Sequence, residues 1–275
     1  MTADLLSGTS RLVQASGVTN FVVYNVTLAQ SIYPNLYVEG GNGFTAWAAN
    51  IRTPANRRDA DGIDIDSFTN TTVNLCSINA GDDGVAVKSH SGNASNITVS
   101  NTKVYGTHGL TIGSITANTV SNVLFENSYL YGGVDLNGMA STDANAVNVK
   151  VDPCSLSVKE IYYKNIRVTE AKHLIVMNTN DNSCSGGGTH PSLTLWSMDY
   201  TTKSVTNTYS LFSGINAKTP VVAYLANVMV DVTKQQGDQY ATVYLDNSND
   251  IPSGTGVTTH AFTLNDSFSS LSCKF

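Results

Sequence analysis

Asn96-Ile-Thr-Val-Ser-Asn101-Thr-Lys-Val104 is the stretch whose reading decides the fold, because the chain says it again and again. Copies stand at Asn20-Phe-Val-Val-Tyr-Asn25-Val-Thr-Leu28, Asn70-Thr-Thr-Val-Asn-Leu-Cys-Ser-Ile78, Asn122-Val-Leu-Phe-Glu-Asn127-Ser-Tyr-Leu130 and Glu160-Ile-Tyr-Tyr-Lys-Asn165-Ile-Arg-Val168, with a weaker one from Gly43. The starts at 20, 43, 70, 96, 122 and 160 are 23, 27, 26, 26 and 38 residues apart. A period of 22–27 is too short for a propeller blade of about 40–45 residues or a helical repeat of about 34. Apolar residues alternate within each copy, the pattern of a strand with one buried face. One such strand cannot bury that face alone, so the copies must stack and share a core. The expected fold is all-β: a right-handed single-stranded parallel β-helix with one repeat per coil. Asparagines at matching positions would form a ladder from coil to coil. The same residues read as Asn-x-Thr glycosylation acceptors at Asn25, Asn70 and Asn96, but only the repeat explains their spacing.

Composition agrees. Charged residues are 13 % of the 275, apolar residues 41 %, and there are 22 Gly and 13 Tyr. That excludes a charged helical bundle, and plentiful β-branched and aromatic residues exclude disorder. No apolar run is long enough to span a bilayer as a helix. A net charge of −6 argues against a nucleic-acid partner. Residues 1–275 are expected to form one domain, with catalytic coils over about 11–176 and C-terminal coils and a cap over about 177–275. Asn182-Ser-Cys-Ser-Gly-Gly-Gly reads as an exposed loop. Cys76, Cys154, Cys184 and Cys273 lack zinc-site spacing. One or two disulfides are expected, with the pairing open, and Cys76 reads as a small buried hydrophobe. The residues after Met1 show neither a basic nor an apolar leader region, so no signal peptide is expected in the chain.

A second pattern lies in register with the first. Asp61-Gly-Ile-Asp-Ile65, Asp83-Gly-Val-Ala-Val87 and His108-Gly-Leu-Thr-Ile112 each read as a polar residue, Gly, then alternating apolar residues, spaced by 22 and 25. Strands stack about 4.8 Å apart, which would bring Asp61, Asp83 and His108 into one column, with Asp82 beside them. Crowded carboxylates are costly and are best explained where acid/base chemistry uses them. A calcium site or an idle polar row are the competing readings. The glycines would allow a turn or the close approach of a ligand backbone.

Four segments in order, Asp59-Ala-Asp61, Gly81-Asp82-Asp83, Thr107-His108-Gly109 and Asn148-Val-Lys150, resemble glycoside hydrolase family 28, the polygalacturonases and their relatives, over about Arg11 to Val176. The resemblance implies hydrolysis of α-1,4 bonds in pectic polysaccharide by an inverting acid/base mechanism, without metal or cofactor. It implies Asp82 as general acid, its proton favoured by two carboxylate neighbours, with Asp61 and Asp83 orienting and deprotonating the water. Their carboxyl groups are then expected about 6.5–9.5 Å apart. His108 would tune an aspartate or touch substrate. Lys150 would hold a substrate carboxylate. Asn148 stands where the family has an Arg with that duty, and Asn cannot make a guanidinium's fork. The resemblance further implies a monomer, a secreted or periplasmic location, and either a fragment or a helix shortened by the family's N-terminal coils and cap. Lys88 reads as a solvated surface charge; Arg52, Arg57 and Arg58 are possible cleft residues, and Tyr105, Tyr129 and Tyr131 possible sugar platforms. The rival functions are a calcium-dependent pectate lyase and a non-catalytic or inactivated carbohydrate-binding β-helix.

Overall fold

A computed structural model describes residues 10–141, 144–179, 181, 209–230 and 237–264. The strands Val13–Ser16, Leu36–Glu39, Ile63–Asp66, Val85–Lys88, Leu110–Ile112, Asn145–Lys150, His173–Asn178 and Tyr209–Ser213 form one parallel sheet in that order. The strands between them form a second, ten-stranded sheet. A chain that visits the two sheets in turn, always in the same direction, is winding into a helix. The expected parallel β-helix is therefore what these residues build. The loop expected from Asn182 to Gly188 lies outside the described residues.

The repeat has a conformational basis. Its starting positions Asn20, Gly43, Asn70, Asn96, Asn122 and Glu160 all have φ between 53° and 77°. Five residues later Asn25, Ala48, Leu75, Asn101, Asn127 and Asn165 have φ between 49° and 55°. Each coil thus turns at two left-handed corners, where Asn is tolerated better than most residues because its side chain bonds locally. The ladder is real and runs backward: Asn122 Nδ2 donates to Asn96 Oδ1 (2.7 Å), Asn96 to Asn70 (3.1 Å) and Asn70 to Asn42 (2.6 Å). A second ladder at the other corner includes Asn165 to Asn127 at 3.0 Å.

Inward residues stack in columns. Leu36, Ile63, Val85, Leu110, Val147 and Ile175 align rung by rung, as do Val38, Ile65, Val87, Ile112, Val149 and Met177. Phe44 packs edge-on to Phe68, and Phe125 stacks on Tyr163 at 4.7 Å. All of these are buried, and each buried side chain of this size stabilises the fold by roughly 1.5–3 kcal/mol. Cys76 is a free thiol buried in the same core, as expected, and Cys154 is disulfide-bonded. Towards the C-terminus the coils shorten: Val221 pairs with Ala241, and Thr242 with Thr258. With the inward positions filled by hydrocarbon, the outward positions of the first sheet are left for chemistry.

Candidate active site

Alternation assigns the outward side chains of the first sheet. Ile63 and Ile65 face the core, so Asp64 and Asp66 face out; Val85 and Val87 face in, so Lys88 faces out; Val147 and Val149 face in, so Asn148 and Lys150 face out. The sequence-predicted acids come from the turns just before consecutive strands: Asp61 before Ile63–Asp66, Asp82 and Asp83 before Val85–Lys88, His108 before Leu110–Ile112. The glycines after them serve the stack rather than a ligand. A Cβ on Gly62 would stand 2.3 Å from Gly84 O, and one on Gly109 (φ +94°) 2.2 Å from Ala146 O.

Asp61, Asp82, Asp83 and Lys150 line one cavity of about 430 Å³. His108 lies on the far side of Asp82, in a second cavity of about 480 Å³ with Arg58, Gly81 and Ser141. Asp59 and Asp82 line both. Asp83, 2 % exposed, accepts from Thr111 Oγ1 at 2.7 Å and from Lys150 Nζ at 3.0 Å. Asp61 accepts from the Asp83 N–H (3.2 Å) and Lys88 Nζ (2.9 Å). Asp82 is the more open: its side chain is 23 % exposed, with His108 Nδ1 at 2.8 Å.

Several expectations change. Lys88 is no solvated charge; its side chain is 14 % exposed and its ammonium bridges Asp61 and Asp64 (2.8 Å). Burial pulls its pKa down, but Asp64, Asp61 and Asp83 together carry it well above the ordinary lysine value. Asp64 was missed, although the alternation of Asp61-Gly-Ile-Asp-Ile already points it outward beside Asp61. Burial, then the charge of Asp61, push its carboxyl well above the usual carboxylate range against the pull of Lys88. Its Oδ1 is buried and accepts no hydrogen bond. Asn148 is 2 % exposed and lines neither cavity. Of Arg52, Arg57 and Arg58, only Arg58 lines one of these two cavities. Tyr105, Tyr129 and Tyr131 sit on the second sheet, packed on one another. Ligand atoms, one each from Asp82, Asp83 and His108, fall within 4.8 Å of one another. A cation there would meet Lys150 already on Asp83, so these residues do not make a good metal cage.

The Asp82–His108 contact has a pH signature. Burial of the ring lowers the His108 pKa, but the hydrogen bond and charge of Asp82 outweigh it and hold it above the ordinary value. A raised folded value contributes stability fully below the unfolded pKa of about 6.5, and that stability is lost as pH rises through the folded value. Stability is therefore expected to fall on the alkaline side of about pH 6.5 in wild type and to fall less in His108→Gln. Chemical denaturation across pH checks this; identical pH dependence in the two proteins would show that the contact does not bind a proton.

A model of the family described as glycosyl hydrolases family 28 matches residues 6–218. The chain belongs to that family. As a family 28 chain it is 32 % identical over 232 residues to the endo-polygalacturonase of Pectobacterium carotovorum subsp. carotovorum, covering 82 % of this chain and 53 % of the relative. The endo-polygalacturonase of Pectobacterium parmentieri is 34 % identical with the same coverage. The chain spans about half the length of the curated relatives it matches. Among solved structures, the polygalacturonase from Erwinia carotovora ssp. carotovora superposes with a TM-score of 0.70 at 29 % identity, over 87 % of this chain and 59 % of that one. An exopolygalacturonase from Thermotoga maritima shares the fold at a TM-score of 0.63 and 17 % identity, over 83 % of this chain and 49 % of that one. The family 28 match extends beyond the segment near Val176 to which the sequence motifs reach.

Proposed function

We propose that this protein hydrolyses α-1,4 glycosidic bonds of polygalacturonan or a related pectin. The observation that carries the reading is the position of Asp82, which lines both the cavity over the outward face of the first sheet and a second one among the turns that precede its strands. A polymer lying across both cavities presents one glycosidic oxygen to Asp82. The relatives' names as polygalacturonases support the substrate class.

In the step, Asp82 gives its proton to the leaving oxygen as the C1–O bond breaks. Water forms the new C1–O bond and passes its proton to the Asp61/Asp83 carboxylates. His108, with its Nδ1 2.8 Å from Asp82 Oδ1, holds that carboxyl in place at the bond to be cut. Lys150 and Lys88 hold Asp83 and Asp61 in place and offset the negative charge that would otherwise repel a polyuronate. The disulfide at Cys154 supports an oxidising compartment, consistent with action outside the cytoplasm, and we take the working unit as a monomer.

Polygalacturonate incubated with the protein should yield new reducing ends, no absorbance from unsaturated products, and undiminished turnover with a chelator. Proton NMR of the first product should show the anomer opposite to the substrate linkage. Unsaturated ends or chelator sensitivity would replace hydrolysis with a lyase reaction, and the retained anomer would replace inversion.

A further inference from the structure

Three lysine or arginine side chains line the first cavity among the described residues: Arg11, Lys88 and Lys150. Two are committed to the protein's own acids, Lys88 to Asp61 and Asp64, and Lys150 to Asp83. Arg11 has no carboxylate within ion-pair distance among the described residues. Its Nη1 donates to Gln14 Oε1 at 3.2 Å, and its Nε is buried without an acceptor.

Arg11 is nevertheless held. Its guanidinium carbon lies 3.7 Å from the centre of the Tyr37 ring and 5.3 Å from that of Tyr33. Tyr37 is itself fixed, donating through its hydroxyl to Asp66 Oδ2 at 2.8 Å. Asp66 is in turn anchored by the Ser67 hydroxyl and the His90 N–H. A guanidinium held over an aromatic face turns its N–H donors to the side, and with Nη1 on Gln14 and Nε buried, Nη2 is the donor left for an anion among the described residues. Tyr37 pairs with Asp64 on the next rung and Asp64 with Ala86 on the one after. The platform therefore stands two rungs, about 9–10 Å, from the strand that follows Asp82 and Asp83.

A polyuronate carries a carboxylate on every sugar, and the wall it meets here is rich in aspartate. We propose that Arg11, braced on Tyr37, binds the carboxylate of a uronate unit remote from the bond being cut, forming an anion subsite at this end of the cleft. The inference rests on the reading of the cleft as a polyuronate site and adds the residue that recognises the charge. It also supplies a guanidinium where Asn148 supplies none.

The test is calorimetric titration of a short α-1,4 galacturonate oligomer into the Asp82→Asn protein at low salt, with and without a change at Arg11. Arg11→Gln should weaken binding about tenfold, the scale of one charged hydrogen bond, and flatten its salt dependence. Arg11→Lys should retain most of the affinity, and a neutral galactose oligomer should be indifferent to both. In the Asp82-containing protein Arg11→Gln should raise KM more than it lowers kcat. Unchanged affinity in Arg11→Gln, or equal losses in Arg11→Lys and with the neutral oligomer, would overturn the subsite. The two readings fail separately: Arg11-dependent oligomer binding by a protein that never hydrolyses the polymer keeps the subsite and removes the activity. Hydrolysis with no Arg11 dependence does the reverse.

Discussion

Asp82→Asn is expected to cut turnover of polygalacturonate by about 10²–10⁴-fold, the range that a positioned general acid contributes. The substitution keeps shape and size. Asn can still occupy the junction between the two cavities and still meet His108, so neither fold nor oligomer affinity should change. What it cannot do is deliver a proton to the departing oxygen. The loss should therefore fall on kcat, with the fold retained. Substrates with a good leaving group, which need less protonation, should be rescued in part. Asp59 lines the same two cavities and serves as the control, since its backbone N–H, not its carboxylate, contacts Asp82 (3.4 Å). Turnover within tenfold of wild type in Asp82→Asn would move the acid elsewhere.

The other large effect is expected at Lys88. Its ammonium is the cation that joins Asp61 and Asp64, whose side chains are 8 % and 1 % exposed. Lys88→Met keeps the aliphatic stem but leaves a charged carboxylate buried beside a second acid. Breaking a buried pair in this way costs about 3–5 kcal/mol, on the order of 10 °C in melting temperature for a chain of this size. Activity should fall with it, because Asp61 loses the contact that aims it at the water. The double variant Lys88→Met/Asp61→Asn removes both charges and should recover much of the stability while remaining inactive. Melting curves of the single and double variants measure this directly; a single variant as stable as wild type would mean that water, not Lys88, satisfies the pair.

The comparison of Lys88 with Asp82 shows how far the sequence reaches. Asp61, Asp83 and His108 were legible because each stands before a strand in the same short polar-Gly pattern, with Asp82 beside Asp83, and similar coil spacing brings such residues close. Lys150 was legible through its motif, and it does reach the site, though onto Asp83. Lys88 was misread because a lone lysine at the end of an alternating strand looks like any surface charge. Only the outward column of the sheet, with Asp64 one rung back, shows why it is buried. Asn148 shows the converse: its motif position suggested substrate contact, but the packing around it leaves it covered.

By itself the sequence determined the winding: its period, the inward columns, and hence which face carries polar groups. Those follow from local rules, alternation and φ preference, that each coil obeys independently. The tertiary structure alone decided the pairings on that face: which lysine meets which acid, where His108 lies relative to Asp82, and that Arg11 meets no carboxylate among the described residues. Such choices depend on side-chain reach between rungs and on loops folded over the sheet. No periodicity along one chain encodes them, because they are relations between residues about 20 to 70 positions apart that meet only once the coils are stacked.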